Sequence, residues 1–290
     1  MSSNLINPFA PFDLALANAF EASITLALAE DVGSGDLTGK LVPENQWFKA
    51  HVVVREAAIL CGAPWFDGVM HRLDPQIRLD WRYAEGAPMT ADSVVCAIEA
   101  PARALLTAER CALNFMQLLS GVASATQRYV EVVKGTRAAI LDTRKTLPGL
   151  RLAQKYAVRV GGGQNQRLAL YDGILIKENH IAAAGGVGAA VLAAQALAAG
   201  VTIQVEVETL DQLKEALDAG AVSVLLDNFA LDTMREAVAM TDGRALLEAS
   251  GGITMTSVRA IAETGVDRIS IGSLTKDLRA TDYSLRIVAK

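Results

Sequence analysis

Seven basic side chains lie within residues 144–177, together with one acidic side chain, Asp172. The whole chain holds 27 basic and 32 acidic residues, which leaves 20 basic and 31 acidic residues outside that stretch. A local excess of positive charge on a negatively charged chain attracts small polyanions. We therefore expect an anion-binding site here rather than an ordinary solvated charged surface.

Four of the seven are the stronger candidates because they lie in loops or at predicted strand ends. Arginine can hold a carboxylate or a phosphate with two hydrogen bonds, whereas lysine acts as a point charge. The other three are spaced i, i+4, i+8 on a helix predicted to begin near Pro148, where ligand contact and structural ion pairing remain equally open. The four are Arg144, Lys145, Arg167 and Lys177, and the helical three are Arg151, Lys155 and Arg159.

Two carboxylates, Glu206 and Asp227, close neighbouring predicted strands. Such groups suit Mg²⁺, the hydroxyls of a sugar, or a developing positive charge. Glu208 points the same way as Glu206 by strand parity, so the sequence leaves their separate roles open. The three histidines have no triad context and are predicted to be structural: His51, His71 and His180.

Glycine-rich turns follow the last two predicted strands, and each turn opens a helix. Ser250 precedes Gly251 and Gly252, and Gly272 precedes Ser273. Free backbone N–H groups at such turns can hold a phosphate, and phosphate sites formed by the last two strand loops recur in α/β barrels. Because the two loops are adjacent, we favour a phosphate site over turns alone.

The elements that must position these residues change character near Gly135. After it, apolar runs alternate with helical stretches, which predicts parallel strands buried on both faces in a barrel or a wound sheet. Polar groups follow nearly every run, and in such folds the working groups cluster at the carboxyl ends of the strands. The six predicted strands are residues 138–142, 173–177, 201–207, 222–227, 245–250 and 268–272.

The first 135 residues read as a mixed α and β region. An amphipathic helix is predicted over residues 13–30, followed by strands near 49–56, 58–61, 79–83 and 92–99. Residues 102–133 are helical in pattern, and we expect two helices broken near Ser120 and Gly121.

Composition limits the class of protein. The 290 residues are 51% hydrophobic and 20% charged with a net charge of −5, which allows a large core and argues against a nucleic-acid partner. Three widely spaced cysteines fit buried thiols in a reducing compartment. No secretion signal is recognised at the N-terminus, and the apolar run at 181–194 is too short and too weakly hydrophobic for a membrane span. A cytoplasmic protein without a membrane partner is expected.

An ordered set of motifs resembles the quinolinate phosphoribosyltransferase family across nearly the whole chain. The segments DTRKTLPGLR, KYAVRVGGGQNQR, LIKENH, VEVE, LLDN and the SGG and IGSLT endings stand in the family's order, as do EDVGSGDLT and AERCALNFMQLLSG. The resemblance implies an N-terminal α/β sandwich domain over residues 1–135, joined by residues 276–290. It also implies a C-terminal open six- or seven-stranded α/β barrel over residues 136–275, and a homodimer or a multiple of one.

The resemblance also implies a reaction. Quinolinate and phosphoribosyl pyrophosphate would give nicotinate mononucleotide, pyrophosphate and CO₂ in de novo NAD biosynthesis, with Mg²⁺ and no organic cofactor. Lys145, Glu206 and Asp227 would be catalytic, and the two carboxylates would also serve the ribose and Mg²⁺, directly or through water or pyrophosphate. The implied substrate-binding residues are Arg110 (from the neighbouring subunit), Thr143, Arg144, Lys145, Arg167, Lys177, Glu206 and Asp227. The implied 5-phosphate cradle is Ser250, Gly251, Gly252, Ile271, Gly272 and Ser273.

One position departs from the family pattern. The family commonly has His between Asn and Arg in the segment after the glycines, whereas this chain has Gln166. Glutamine keeps a donor and an acceptor but carries no charge, which suggests a positioning role.

Three alternatives stay open. The chain could be a related protein of another substrate, such as those associated with molybdenum transport. It could be an aldolase or decarboxylase with a Schiff base on Lys177, or a polyanion-binding protein without catalysis.

Overall fold

The computed structural model describes residues 2–288, which form two compact units. Among these residues, the first unit holds 2–127, 146–162 and 275–288, and the second holds 128–145 and 163–274. The domain limits expected from the sequence, at 135/136 and 275/276, stay a prediction.

The strands of residues 2–288 are short, and several carry buried apolar runs. They are β1 (Ser2–Ser3), β2 (Trp47–Val54), β3 (Ala58–Ile59), β4 (Arg78–Trp81), β5 (Pro88–Met89), β6 (Val94–Pro101), β7 (Ala139–Leu141), β8 (Gly173–Ile176), β9 (Thr202–Val207), β10 (Ser223–Asp227), β11 (Leu246–Ser250), β12 (Arg268–Ser270) and β13 (Tyr283–Ile287).

Helices follow most strands of the second unit and flank the sheet of the first. They are α1 (Leu14–Asp31), α2 (Ala63–Leu73), α3 (Ala102–Val133), α4 (Arg151–Val160), α5 (Glu178–Ala184), α6 (Val187–Ala196), α7 (Leu210–Asp218), α8 (Leu231–Thr241), α9 (Val258–Ala262) and α10 (Ser273–Lys276).

The first unit is built on a five-stranded, mostly antiparallel sheet in the order β1-β4-β6-β2-β13. Strand β13, the last in the described part of the chain, completes it, with Tyr283 opposite Val54 and Ile287 opposite Ala50. The helix predicted over residues 13–30 is confirmed as α1, and Asp13 caps it by accepting a hydrogen bond from the Leu16 N–H.

Aromatic side chains fill the core of this unit. Trp65 of α2 and Tyr156 of α4 are both at most 1% exposed, and their ring centroids lie 5.3 Å apart. Phe12 packs edge-on against Tyr156 at the same distance. Aromatic pairs in this geometry contribute about 0.5–1.5 kcal/mol each beyond the area they bury. Helix α4 is therefore anchored in the first unit by its apolar face.

The predicted break near Ser120 and Gly121 is wrong, because α3 continues through both residues. The small side chains serve packing instead. A Cβ on Gly121 would lie 2.3 Å from the carbonyl oxygen of Arg279, so only glycine allows that close approach. The Ser120 hydroxyl donates to the Cys61 carbonyl oxygen, and it lies 2.8 Å from the Tyr283 hydroxyl.

The second unit is an open α/β barrel with six parallel strands in the order β7-β12-β11-β10-β9-β8. The edge strands β7 and β8 are not paired with each other among the described residues, and Gln164 bridges to Leu141 beside β7. The prediction of a C-terminal open barrel is confirmed with six strands. All six carboxyl ends meet at one edge because the strands are parallel.

Two helices differ from expectation. The helix predicted to begin near Pro148 begins at Arg151. Helix α5 was not predicted. Its first turn is closed by His180, whose Nδ1 accepts a hydrogen bond from the Lys177 N–H at 3.0 Å.

Within residues 2–288, every helix is too short or too polar to cross a membrane. Cys61, Cys96 and Cys111 are buried free thiols, as expected.

Candidate active site

A cavity of about 190 Å³ lies in the second unit, at the carboxyl edge of the barrel strands. The residues around it come from loops after β7 and before β8, and from β8 to β12. They are Thr143, Arg144, Lys145, Gln166, Arg167, Leu175, Lys177, Glu206, Leu225, Glu248, Ser250 and Ser270. Seven of them were named from the sequence as site residues. Residues distant in the chain thus converge where such barrels place their chemistry.

Four cations line this cavity, and two carboxylates, Glu206 and Glu248, line it with them. Burial, together with the nearby Arg144 guanidinium, lowers the pKa of Arg167 below its ordinary value. The Arg167 guanidinium also donates to the carbonyl oxygen of Gly173 at 3.0 Å, which fixes its direction. Two guanidinium groups near each other favour an anion between them, because the anion offsets their mutual repulsion.

Lys177 and Glu206 form an ion pair in the cavity. The Lys177 Nζ lies 2.9 Å from Glu206 Oε2, and the side chains are 44% and 12% exposed. Because the lysine is more than a third exposed, solvent screening makes the pair a modest contributor to stability. The structural role of this ion pair is to hold the Glu206 carboxylate in place. Glu208 is exposed and does not line this cavity, and its N–H donates to Gln212 Oε1. Both glutamates line a second cavity of about 150 Å³, so Glu206 alone of the two lines both cavities.

Asp227 ends β10 directly opposite Ser250, the last residue of β11. Its carboxylate accepts a hydrogen bond from Asn228 Nδ2 at 3.1 Å, and it does not line the cavity itself. The turn after β11 needs glycine at its first position. Gly251 has φ +102°, and a Cβ there would lie 2.0 Å from Asn228 Oδ1. Gly252 also has a left-handed φ, +58°. The turn is therefore packed against the end of β10.

The turn after β12 lies beside the cationic cluster. A Cβ on Gly272 would lie 3.2 Å from Lys145 Cδ and 3.6 Å from Thr143 Oγ1. The Thr143 hydroxyl also accepts a hydrogen bond from the Lys145 N–H at 3.0 Å. The absence of a side chain at Gly272 therefore leaves room for Lys145 to reach the cavity.

Ile271 and Ser273, the remaining residues predicted to bind phosphate, lie in different local structures. The Ile271 side chain is buried and its N–H donates to the Leu141 carbonyl oxygen, so the prediction for Ile271 rests on its place in the turn alone. Ser273 begins the four-residue helix α10.

Arg110 belongs to the first unit, where it is an exposed side chain on α3. Its contribution to a neighbouring subunit stays a prediction. The helical basic residues do not form a uniform exposed stripe, because Lys155 is 1% exposed while Arg159 is exposed.

Sequence reasoning missed two buried polar residues of the second unit, Gln204 and Glu248, and it placed the buried Asp142 at a strand end without giving it a role. Asp142 accepts hydrogen bonds from Asn165 Nδ2 at 2.6 Å and from the Gln166 N–H at 2.9 Å, so it holds the segment before Arg167. Strand parity was the available signal. Glu248 is two residues before Ser250 and Gln204 is two before Glu206, so each shares a face with a residue already named.

Comparison with known proteins gives a consistent result. A model of the quinolinate phosphoribosyl transferase N-terminal domain matches residues 36–120, and one of the C-terminal domain matches residues 122–286. A Mycobacterium leprae protein named nicotinate-nucleotide pyrophosphorylase (carboxylating) is 41% identical over 278 residues, covering 92% of this chain and 97% of that protein. A Bacillus subtilis protein named as the probable enzyme of that kind is 42% identical over 259 residues, covering 89% of this chain and 90% of the relative.

A solved structure is similar as well. The nicotinate-nucleotide pyrophosphorylase from Francisella tularensis superposes with a TM-score of 0.91 at 42% identity. The match covers 93% of this chain and 96% of that chain. The similarity therefore extends over both units and not over the barrel alone.

Proposed function

Because the chain belongs to the quinolinate phosphoribosyl transferase family, we propose that it transfers the phosphoribosyl group of phosphoribosyl pyrophosphate to quinolinate. The products are nicotinate mononucleotide, pyrophosphate and CO₂, in de novo NAD biosynthesis. The observation that carries the proposal is the convergence of four cations and Glu206 on one cavity at the carboxyl edge of the barrel. The two substrates together bear two carboxylates, a pyrophosphate and a monophosphate, which match that charge.

Binding divides between the cations and the two turns. Arg144 and Arg167 suit the two carboxylates of quinolinate, since each guanidinium can grip a carboxylate with two hydrogen bonds. Lys145 and Lys177 supply point charges to the remaining anionic groups. The turns at residues 250–252 and 271–273 hold the 5-phosphate, with backbone N–H groups other than that of Ile271 as donors.

The protein's contribution to the reaction is orientation and charge placement. The pyridine nitrogen forms a bond to the ribose carbon while the bond to pyrophosphate breaks, and positive charge develops on the ribose. Glu206 and Asp227 stabilise that charge. Once alkylated, the ring nitrogen is cationic, so the adjacent carboxylate leaves as CO₂, its bonding electrons pass to the ring, and a proton replaces it.

Magnesium fits the residues present. It is commonly held by one or two carboxylates and completed by substrate phosphates. Glu206 and Asp227 come from the adjacent strands β9 and β10, and within residues 2–288 no cluster of three or more His, Cys, Asp or Glu side chains could hold a metal without the substrate. When bound, the ion neutralises charge on the pyrophosphate.

We extend the proposal to the assembly: the working form is a homodimer or a multiple of one, and Arg110 reaches the active site of the neighbouring subunit. The exposure of Arg110 on α3 supports this role.

The Schiff-base alternative is less well supported. A lysine that forms a Schiff base attacks as the neutral amine, whereas Lys177 is paired with the Glu206 carboxylate at 2.9 Å. That alternative also assigns no role to Arg144 and Arg167.

The test is an assay of purified protein with phosphoribosyl pyrophosphate, Mg²⁺ and either quinolinate or nicotinate, with detection of nicotinate mononucleotide and CO₂. We expect both products only with quinolinate, and loss of both after chelation. Lys177→Met should reduce kcat/KM by about 100-fold or more. Lys214→Met is the matched control because that lysine also forms an ion pair, with Asp218, but on an exposed face of α7. No product from folded wild-type protein would refute the proposed reaction.

A further inference from the structure

Three hydrogen-bonded polar side chains, two of them buried and one half-buried, form a network in the interior of the barrel. Gln204 of β9 and Glu248 of β11 are 6% and 1% exposed, and Gln166 lies in the loop before β8. Glu248 Oε2 accepts a hydrogen bond from Gln204 Nε2 at 2.9 Å, and Gln204 Oε1 accepts one from Gln166 Nε2 at 2.6 Å. Burying the Glu248 carboxylate and the Gln204 amide is costly unless their hydrogen bonds are made. The chain of contacts meets that requirement.

Glu248, at one end of this hydrogen-bond network, determines how the two carboxamides are oriented. A carboxylate only accepts hydrogen bonds, so Glu248 must face the NH₂ group of Gln204. The Gln204 oxygen therefore faces Gln166 and accepts a hydrogen bond from the Gln166 NH₂ group. That NH₂ group also lies 3.4 and 3.5 Å from the two Glu248 oxygens. The remaining Gln166 oxygen accepts a hydrogen bond from the Arg167 N–H at 2.6 Å. One carboxylate thereby orients two carboxamides.

The chain ends at the backbone of a cation that lines the candidate active site. Two groups hold the backbone there: Asp142 accepts from the Gln166 N–H at 2.9 Å, and the Gln166 oxygen accepts from the Arg167 N–H. The Arg167 guanidinium is then aimed by its bond to Gly173. A shift of this backbone would move the guanidinium relative to the cavity, and small displacements of a binding group cost large factors in rate or affinity.

We propose that Glu248 is a positioning residue, which acts through Gln204 and Gln166 to fix Arg167 for binding the dicarboxylate substrate. The identity of that substrate rests on the proposed function, whereas the network itself rests on the contacts described above. A protonated histidine in place of Gln166 could not accept from the Arg167 N–H. Glutamine keeps that acceptor at every pH at which the protein is folded.

The test exchanges the carboxylate of Glu248 and the amide of Gln204 by substitution. Glu248→Gln removes the group that sets the direction, and Gln204→Glu places a second carboxylate against the first, where like charges repel. The double variant Gln204→Glu/Glu248→Gln again has one carboxylate and two amides, and the carboxylate, now on β9, accepts from both neighbours. Quinolinate binding by calorimetry, both KM values and kcat are measured for each protein. The exposed substitutions Gln76→Glu and Glu236→Gln are the matched controls.

Each single variant should weaken quinolinate binding and raise its KM by about tenfold, the effect of one misplaced hydrogen bond. The KM for phosphoribosyl pyrophosphate should change less than about twofold, and the double variant should recover most of the loss. A general structural defect would instead affect both substrates. Equal quinolinate binding by wild type and both single variants would overturn the positioning role. Quinolinate binding without products would overturn the proposed reaction and leave the network to be judged by binding.

Discussion

The buried carboxylate of Glu85 in the first unit should make the stability of that unit depend on pH, and Glu85→Gln should remove the dependence. The Glu85 side chain is 1% exposed. Its Oε1 accepts hydrogen bonds from the Gly62 N–H at 2.8 Å and the Tyr156 hydroxyl at 2.9 Å, and Oε2 accepts from the Ala63 N–H at 3.2 Å. Burial raises the pKa of Glu85 from 4.5 to about 7, although these hydrogen bonds oppose the rise.

The sign follows from which state binds the proton more tightly. Because the pKa is higher in the folded protein, the folded state holds a proton on Glu85 between about pH 4.5 and 7 while the unfolded state has lost it. The resulting stabilisation is complete below pH 4.5 and is lost as the pH rises through about 7. At 1.36 kcal/mol per pKa unit, the difference amounts to about 3 kcal/mol.

Fluorescence can follow the first unit selectively, since the chain's three tryptophans, Trp47, Trp65 and Trp81, all lie in it. Denaturant unfolding would be measured from pH 5 to pH 8 for wild type, Glu85→Gln and the exposed control Glu236→Gln. Relative to wild type, the free energy of unfolding of Glu85→Gln should rise by about 3 kcal/mol over that range. Glu236→Gln should stay parallel to wild type.

Asp67 also titrates in this unit, since burial raises its pKa to about 6. It is present in all three proteins, so its contribution cancels in the comparison. Parallel curves for wild type and Glu85→Gln between pH 5 and pH 8 would refute the reasoning.

Three further outcomes are expected. Gly121→Val should lower the free energy of unfolding by about 1–3 kcal/mol or more, because its Cβ would meet the Arg279 carbonyl oxygen at 2.3 Å; tryptophan fluorescence measures this, and an unchanged stability would contradict the close approach. Arg144→Lys should raise the quinolinate KM by about tenfold in steady-state assays, since lysine cannot grip a carboxylate bidentately; an unchanged KM would argue against carboxylate binding there. Inactive Arg110→Ala and Lys145→Ala proteins, mixed and reassembled, should regain about a quarter of wild-type activity if active sites are shared across a dimer, because about half of the dimers are mixed and each mixed dimer has one intact site. No recovery of activity in verified mixed dimers would exclude sharing.

Much of the second unit could be predicted because buried parallel strands read as apolar runs whatever surrounds them. The run predicted at residues 222–227 is β10, and the run at 245–250 is β11, each within one residue. The helix break predicted near Ser120 and Gly121 was wrong for a different reason. Small residues lower helix propensity, but propensity is a weak prior, and the packing of Gly121 against Arg279 outweighs it.

Local pattern also could not decide which basic residues share an environment. Helical spacing relates Arg151, Lys155 and Arg159, yet Lys155 is buried and Arg159 is exposed. Burial depends on what packs against each turn of the helix, and that is not encoded in the spacing.

The sequence by itself determined the chemical groups of the site and the strand ends that carry them, because motif order and apolar runs are local properties of the chain. Only the tertiary structure decided which groups meet. Lys177 reaches Glu206 across 29 residues, and Gln166 reaches Glu248 across 82. Contacts between such distant residues depend on the order and register of the barrel strands, because register determines which side chains face one another inside the barrel.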